Sequence, residues 1–486
     1  MRTTNQLFAA ILMPLSLVAA ACGDHAVTTG VSPDVESSFS RHPSVASVVV
    51  SPSSGSALVG QSAQLRAAAF DARGSAISGA TFVWSSSNTA AATVSASGLV
   101  LAAGAGTAVI TAASGSAAGH ATMTISATAP VVPPPSTSGR WVSGYYAGYQ
   151  RSLYPETQID FSTMTHIIVG AVQATSTGGV TTDFYIDTTN GPIMARNISS
   201  RAHQASRKAI LMLGGAGNSG VLRTAASNAY RSIFVANLLK TMDALGYDGV
   251  DVDWEPFAVS DEPVILQLLK DLRAARPGMI LTFPVGWVGA SAAPDPWFAQ
   301  VAPVVDQMNA MTYQMADNWG GWVSWHEGAL TGEGSDHPSS IASTIGVYLK
   351  AGVSAARLGV GIGAYGSCWQ GVSDMRLQLG SSPNVVASDN AMSYANIVSQ
   401  YYTAAAYHWD DIAKSSYLSF PAGAGPSACN LVSYEDPRAV TERGAYVRSA
   451  GLGGAIVWTI NQGHLPTAAA GQQDPLLTAA FNAIVP

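Results

Sequence analysis

Between Tyr247 and Pro256 the chain reads Tyr-Asp-Gly-Val-Asp-Val-Asp-Trp-Glu-Pro, a run in which acidic and apolar residues alternate. Alternation with a period of two marks a β-strand, whose successive side chains point to opposite faces. Asp251, Asp253 and Glu255 would line one face at roughly 6.6 Å steps, with Val250, Val252 and Trp254 on the other. Asp248 completes a D-x-x-D-x-D-x-E pattern. Chance would place these four carboxylates somewhere in such a chain with a probability on the order of 1%. A solvated strand edge fits poorly, because Trp254 and the valines ask for a packed environment. Whatever fold the chain adopts has to hold a strand with one acidic and one apolar face.

Calcium is one reading of those acids, since Asp251, Asp253, Glu255 and Glu262 fall at positions 1, 3, 5 and 12 of an EF-hand count. That loop needs Gly at its sixth position and a helix before it. Here the sixth position is Pro256 and the preceding run is strand-like, so no metal and no other cofactor is expected. Charged residues make up 11% of the chain, the net charge is -7 and no basic cluster stands out. Nucleic acid and polyphosphate partners are therefore unlooked for, and a neutral substrate suits the composition better.

The 486 residues exceed one ordinary domain. Arg2 precedes an apolar run from Leu7 to Val18 that leads into Ala19-Ala20-Ala21-Cys22, the layout of a secretory signal over residues 1–22. The run is too short to read as a membrane span. Small residues before a cysteine resemble a bacterial lipoprotein signal, in which Cys22 would carry the lipid; Ala19 departs from that pattern, where Leu is usual. Lipidation would put the chain on the bacterial cell surface or outer membrane, and ordinary cleavage would release it. Of three cysteines, Cys368 and Cys429 are then left as an even pair in an oxidising compartment, either bridged or present as two buried thiols.

Residues 23–43 are Ser- and Thr-rich without periodicity, as in a flexible tether. Residues 44–127 carry short β-prone runs separated by Gly, Ser and Asp turns, the texture of a small all-β sandwich. Val59-Gly60-Gln61, Trp84-Ser85-Ser86-Ser87-Asn88 and Ala96-Ser97-Gly98-Leu99-Val100 in this stretch resemble the bacterial immunoglobulin-like group 2 family. The resemblance implies a spacer or adhesion module with Trp84 as its core anchor. Residues 128–139 include Pro133-Pro134-Pro135, an extended linker.

From residue 140 to 486 strand and helix patterns alternate, which argues for α/β architecture with a parallel sheet covered by helices. Strands are predicted at Val142–Ala147, His166–Val172, Ala209–Leu213, Gly249–Trp254, Met279–Pro284, Gln307–Thr312, Leu358–Ile362 and Ala455–Thr459. Between the third and fourth, Ile233, Phe234, Leu238, Leu239, Met242 and Leu245 keep helical spacing up to Gly246. Between the fourth and fifth, Ser260 can cap a helix with Pro263 in its first turn. Eight such units match a (β/α)8 TIM barrel, in which chemistry sits at the C-terminal ends of the strands. Glu255 falls at such an end. Three carboxylates in a restricted interior cannot all ionise cheaply, so a proton should be retained, and a protonated acid at the rim is what glycosidic cleavage requires. The usual second carboxylate across the cleft has no isolated motif of its own.

The acidic segment resembles the catalytic signature of glycoside hydrolase family 18, the chitinase family. Gly144-Tyr145-Tyr146, Thr165-His166-Ile167-Ile168, Asn309-Ala310-Met311-Thr312-Tyr313, Gly361-Ile362-Gly363-Ala364-Tyr365-Gly366 and Gly453-Gly454-Ala455-Ile456-Val457-Trp458 resemble its first, second, sixth, seventh and eighth strands. The resemblance implies Glu255 as general acid and the substrate's own 2-acetamido oxygen as nucleophile, the substrate-assisted route of this family. Asp253 would hold the acetamide N–H, Asp251 would share a proton with Asp253, Tyr313 would donate to the acetamide oxygen, and Trp458 would floor the distorted sugar. Tyr146, Met311 and Gln314 would line the substrate site, and Asp248, Gly214 and Gly215 would be structural. In two places the chain departs from the family. Met212 stands where the Ser of Ser-x-Gly-Gly is usual, and Gln314 follows Tyr313 where Asp is common.

Ten of the eleven Trp lie at or beyond residue 141, with Trp319, Trp322 and Trp325 crowded after the sixth strand. Sugar faces stack on aromatics, so Trp287, Trp319 and Trp369, each just past a strand end, are candidate walls of a glycan cleft. The expected enzyme is a retaining hydrolase of β-1,4-linked N-acetylglucosamine polymers, acting as a monomer. An endo-β-N-acetylglucosaminidase on N-glycans, a cell-wall hydrolase and a non-catalytic surface glycan-binding protein are the alternatives.

Overall fold

In the computed structural model, which describes residues 44–126, 139–380 and 384–485, the chain forms two units divided between Val131 and Val132. The expected export signal with Cys22, the expected tether at 23–43 and the expected linker up to Ser138 lie outside the described residues. In the first unit, exposed and buried residues alternate along Ser47–Ser51, which pairs antiparallel with Arg66–Phe70. Ala117–Ser126 joins Ser54–Leu58, Gly106–Ser114 and Val83–Ser86 in a four-stranded sheet, and Ser62–Gln64, Leu99–Ala102 and Ala92–Val94 form a three-stranded one. Their inward residues, among them Val48, Val50, Val100, Ile110, Met123 and Ile125, make one core. Trp84 packs partly buried against it.

In the second unit eight parallel strands close into a barrel: β1 Trp141–Ala147, β2 His166–Ala174, β3 Lys208–Ala216, β4 Gly249–Glu255, β5 Ile280–Gly286, β6 Gln307–Met311, β7 Leu358–Gly363 and β8 Gly454–Trp458. Each pairs with its neighbours in chain order, and β1 closes the ring by pairing with both β2 and β8. Val250, Val252 and Trp254 of β4 face outward into the core beneath the helices. The lumen is polar near its base, where Trp141 Nε1 donates to Asn309 Oδ1 at 2.9 Å, and more aromatic toward the C-terminal ends.

The helix predicted before β4 spans Arg231–Leu245 and stops at Gly246, whose φ of 74° is the left-handed conformation that favours glycine. Phe234, Leu238, Met242 and Leu245 are its buried stripe, while Ile233, included in the same spacing, is exposed. The helix after β4 begins at Glu262, one residue later than a Ser260 cap would place it, because Val259–Asp261 forms a 3-10 turn in which Asp261 accepts from Ala258 N–H.

One element had no counterpart in the sequence reading. Between β7 and the helix Pro437–Ser449 the chain inserts a five-stranded antiparallel sheet, ordered Val385–Ala387, Gly366–Trp369, Cys429–Tyr434, Ser415–Ala424 and Tyr407–Asp410. Cys368 and Cys429 are joined by a disulfide across it, which settles the choice between a bridge and two thiols. Among the described residues no helix is long and apolar enough to cross a membrane.

Candidate active site

On β4 the alternation read from sequence turns Asp251 and Asp253 into the lumen, both buried, and leaves Glu255 half-buried at the C-terminal end. Gly214 of β3 runs alongside with a φ of 98°, and a Cβ there would overlap the Asp253 carbonyl oxygen. The glycine thus lets β3 approach the acids closely, a structural role for Gly214 and its left-handed neighbour Gly215. Asp248 lies at the opposite end of β4, bound by Lys208 Nζ at 2.9 Å, His203 Nε2 at 2.8 Å and Ala209 N–H at 2.9 Å, far along the strand from the chemistry. Glu262 hydrogen-bonds Asp295 and takes no part with the three inward acids.

Asp251 accepts hydrogen bonds from Tyr145 Oη at 2.9 Å and from the Thr282 hydroxyl. Burial raises it to about 6, and these two donors hold it from going higher. Asp253 is pushed well above the usual carboxylate range by burial, and then by the charge and hydrogen bond of Glu255. Its hydrogen bond is to Glu255, while its Oδ1 lies buried without a partner in the protein. Asp253 thus hydrogen-bonds Glu255, Asp251 is held by Tyr145 and Thr282, and the charge of Asp251 adds to the rise of Asp253. A low-dielectric lumen favours one proton across the Asp253–Glu255 pair over two negative charges.

A cavity of about 320 Å3 opens over these groups, lined by Asp253, Glu255, Met311, Tyr313, Gln314 and Trp458 among others. Burial and the three nearby carboxylates raise the Tyr313 phenol well above its ordinary value, so it keeps its proton and can donate. Trp458 forms one wall, its ring 5.4 Å from that of Tyr145. Asp389 also borders the cavity, its two oxygens accepting from Gln462 Nε2 and Asn390 Nδ2, each at 2.8 Å.

Four expected site residues do not line this cavity: Tyr146, Trp287, Trp319 and Trp369. The Tyr146 ring lies in the core beneath the helices and its hydroxyl donates to Tyr154 O at 2.8 Å. Its neighbour Tyr145 faces inward, as β-strand parity requires once Ser143 lies inside. Trp369 is fully buried in a second core with Trp325, Met375 and Leu431, because its strand belongs to the inserted sheet. Trp287 and Trp319 do form an aromatic group, with ring centroids 5.6 Å apart and Trp322 4.6 Å beyond, and Trp319 is 36% exposed.

Four further groups escaped the sequence reading: Tyr145, the half-exposed edge-to-face pair Tyr149 and Tyr185, and Glu327. Glu327 is fully buried behind Gln314. Its Oε1 accepts the Gln314 N–H at 2.9 Å and its Oε2 accepts the Ser367 hydroxyl at 2.7 Å. Gln314 itself has a φ of 50°, rare outside glycine. Burial raises Glu327 to about 8. Strand parity would have found Tyr145; nothing in the spacing of a lone Glu in a loop marks Glu327.

A closed parallel barrel with paired acids at the C-terminal end of its fourth strand defines a glycoside-hydrolase type of site. The model of glycosyl hydrolases family 18 matches residues 142–463, and the chain belongs to that family. Residues 44–125 match the bacterial Ig-like domain, group 2. Chitinase A1 of Niallia circulans is 27% identical over 270 residues, covering 49% of this chain and 38% of that protein. Endochitinase 1 of Metarhizium robertsii is 24% identical over 376 residues, covering 69% of this chain and 85% of the relative. The match to Chitinase 1 of Aphanocladium album spans 56% of that protein, so the chain covers only about half or less of some curated relatives. The crystal structure of the Ostrinia furnacalis Group IV chitinase in complex with allosamidin shares the fold, with a TM-score of 0.58 at 22% identity over 71% of this chain and 98% of that one.

Proposed function

We propose that the barrel hydrolyses β-1,4 bonds in N-acetylglucosamine polymers, most simply chitin, with retention of configuration and with the substrate's acetamide as nucleophile. One observation carries this reading: Asp253 pairs with Glu255 yet keeps a buried, unpartnered Oδ1 in a lumen that a protonated Tyr313 also enters. An acceptor for an amide N–H and a donor for an amide oxygen are what an acetamide needs to be held beside the anomeric carbon.

In this scheme Glu255 protonates the leaving oxygen while Asp253, charged as the shared proton moves to Glu255, stabilises the cation that forms when the acetamide oxygen attacks. Tyr145 and Thr282 fix Asp251, whose charge state in turn modulates Asp253. Water then opens the intermediate with Glu255 as base, and the configuration is retained. An export signal, a bacterial Ig-like domain and a disulfide support an extracellular site of action.

A second reading follows from Asp389, a carboxylate on the same cavity: an inverting enzyme would use it as base. Both its oxygens already accept hydrogen bonds, which disfavours that role. Proton NMR of fresh product from chitotetraose separates the two, with the β-anomer expected first and an initial α-anomer sinking the acetamide-assisted route. Glu255→Gln is expected to lower kcat by about 10²- to 10⁴-fold, the usual worth of general acid catalysis. A high-mannose glycoprotein assayed in parallel tests the N-glycan alternative.

A further inference from the structure

Tyr313 stands just beyond the barrel strands, since β6 ends at Met311, so the loop that follows has to aim it. On one side its ring packs against β7, where a Cβ added to Gly361 would stand 2.9 Å from Tyr313 Cδ1 and one added to Gly363 3.1 Å from Tyr313 Cβ. Before it, the Thr312 hydroxyl donates to Gly361 O and accepts Gly361 N–H, each at 2.9 Å. After it, the backbone turns left-handed at Gln314, a conformation that residues with a side chain rarely adopt. Something outside the loop has to hold that peptide.

Glu327 supplies the hold. Its Oε1 accepts Gln314 N–H at 2.9 Å and its backbone oxygen accepts Met315 N–H, also at 2.9 Å, so one residue grips two successive amides after Tyr313. Glu327 is gripped in turn from behind: Ser367 Oγ lies 2.7 Å from its Oε2, and its own N–H donates to Ser433 Oγ at 2.6 Å. Ser367 and Ser433 are register partners in the inserted sheet, and Cys368, the next residue, is bridged to Cys429. The Glu327 side chain is buried and does not line the cavity, so its carboxyl meets no substrate.

We propose that Glu327 is a positioning residue for Tyr313: from a rung of the inserted sheet it fixes the Tyr313–Gln314 peptide in its left-handed turn and so keeps the phenol aimed at the acetamide oxygen. The inference rests on the acetamide-assisted reading above. A donor stabilises a transition state only when it is held close to the oxygen it serves, and a misplacement of about 1 Å costs on the order of 10²-fold in rate. Loosening the peptide while leaving the phenol in place therefore loses part of what removing the phenol loses. Burial keeps the Glu327 carboxyl protonated up to about pH 8, so glutamine matches it in charge as well as in shape.

The test is a double-mutant cycle on chitotetraose at pH 6, with a thermal melt of each variant. Glu327→Ala is expected to lower kcat about tenfold, with KM within about threefold of the parent. In Tyr313→Phe, which has no phenol left to aim, the same substitution is expected to cost less than about twofold, because residues that act through one another are not additive. Glu327→Gln, which keeps an acceptor for Gln314 N–H and turns a donor to Ser367, is expected to bring kcat back to within about threefold of the parent. An unchanged kcat in Glu327→Ala, or an equal loss in both backgrounds, overturns the inference and spares the acetamide reading. An unchanged kcat in Tyr313→Phe alone overturns the inference too, and absence of cleavage by the wild type overturns the reading with it. Should Glu327→Ala fail to fold, Ser367→Ala removes the outer anchor and is expected to lower kcat about threefold in the parent but not in Tyr313→Phe. An equal effect in both, or none in either, overturns the assignment.

Discussion

Tyr313 and Tyr145 are neighbours in one lumen, yet they are held for different tasks. Both keep their protons, but Tyr145 donates its hydrogen bond to Asp251, whereas Tyr313 faces the cavity. Tyr313→Phe is accordingly expected to lower kcat by about 10²-fold, the effect of losing one aimed donor, with little change in fold. Steady-state kinetics on chitotetraose with a thermal melt alongside checks this, and an unchanged kcat would remove Tyr313 from the chemistry. At this scale much of the site was readable. Asp251, Asp253 and Glu255 sit on one face because their spacing matches the strand period, and Tyr313 and Trp458 follow where motif and strand end coincide. Tyr146 misled because two adjacent tyrosines look alike in sequence, and only the parity fixed by Ser143 tells which one enters the barrel. Trp369 misled because a strand end in sequence need not be an end of the barrel sheet.

At the level of elements, the loop after β6 and the inserted sheet meet at buried carboxyls. Glu327 joins Gln314 to Ser367, and Glu435 pairs with Arg443 Nη2 at 2.9 Å. Burial raises Glu327 to about 8 and Glu435 to about 7, so the folded chain retains protons that the unfolded chain releases near pH 4.5. Stability from these protons is complete below about pH 4.5 and is lost as pH rises through 7 to 8. Urea unfolding is expected to give a lower midpoint at pH 8.5 than at pH 5.5. Glu327→Gln, uncharged at both, should make the fall of stability with pH shallower by about 1.4 kcal/mol per pH unit in the range between, the worth of one retained proton. An identical pH slope in the variant would show that Glu327 ionises freely. The eight strands and the helix ending at Gly246 were legible because apolar runs and a C-terminal glycine are local signals. The inserted sheet was not, since its short strands pair antiparallel across dozens of residues and no local period announces that.

The whole chain joins a small β-sandwich with a core of its own to a barrel that contains every residue assigned to the chemistry. Among the described residues of the barrel unit the disulfide is the one cross-link, closing a sequence separation of 61 residues. Cys368→Ser with Cys429→Ser is expected to lower stability by about 4 kcal/mol in the chain-entropy view, read by urea unfolding of the oxidised parent and the variant. A midpoint shift below a quarter of that would mean the inserted sheet holds its shape without the bridge. Where the bridge falls has a further effect, because Cys368 lies at the start of the insertion and Cys429 at the start of its last strand pairing back onto the first. Almost the whole appendage is thus a closed ring of covalent bonds. A protease cutting once between Trp369 and Ala428 would open the ring without dividing the molecule, and the two fragments would part on a denaturing gel only after reduction.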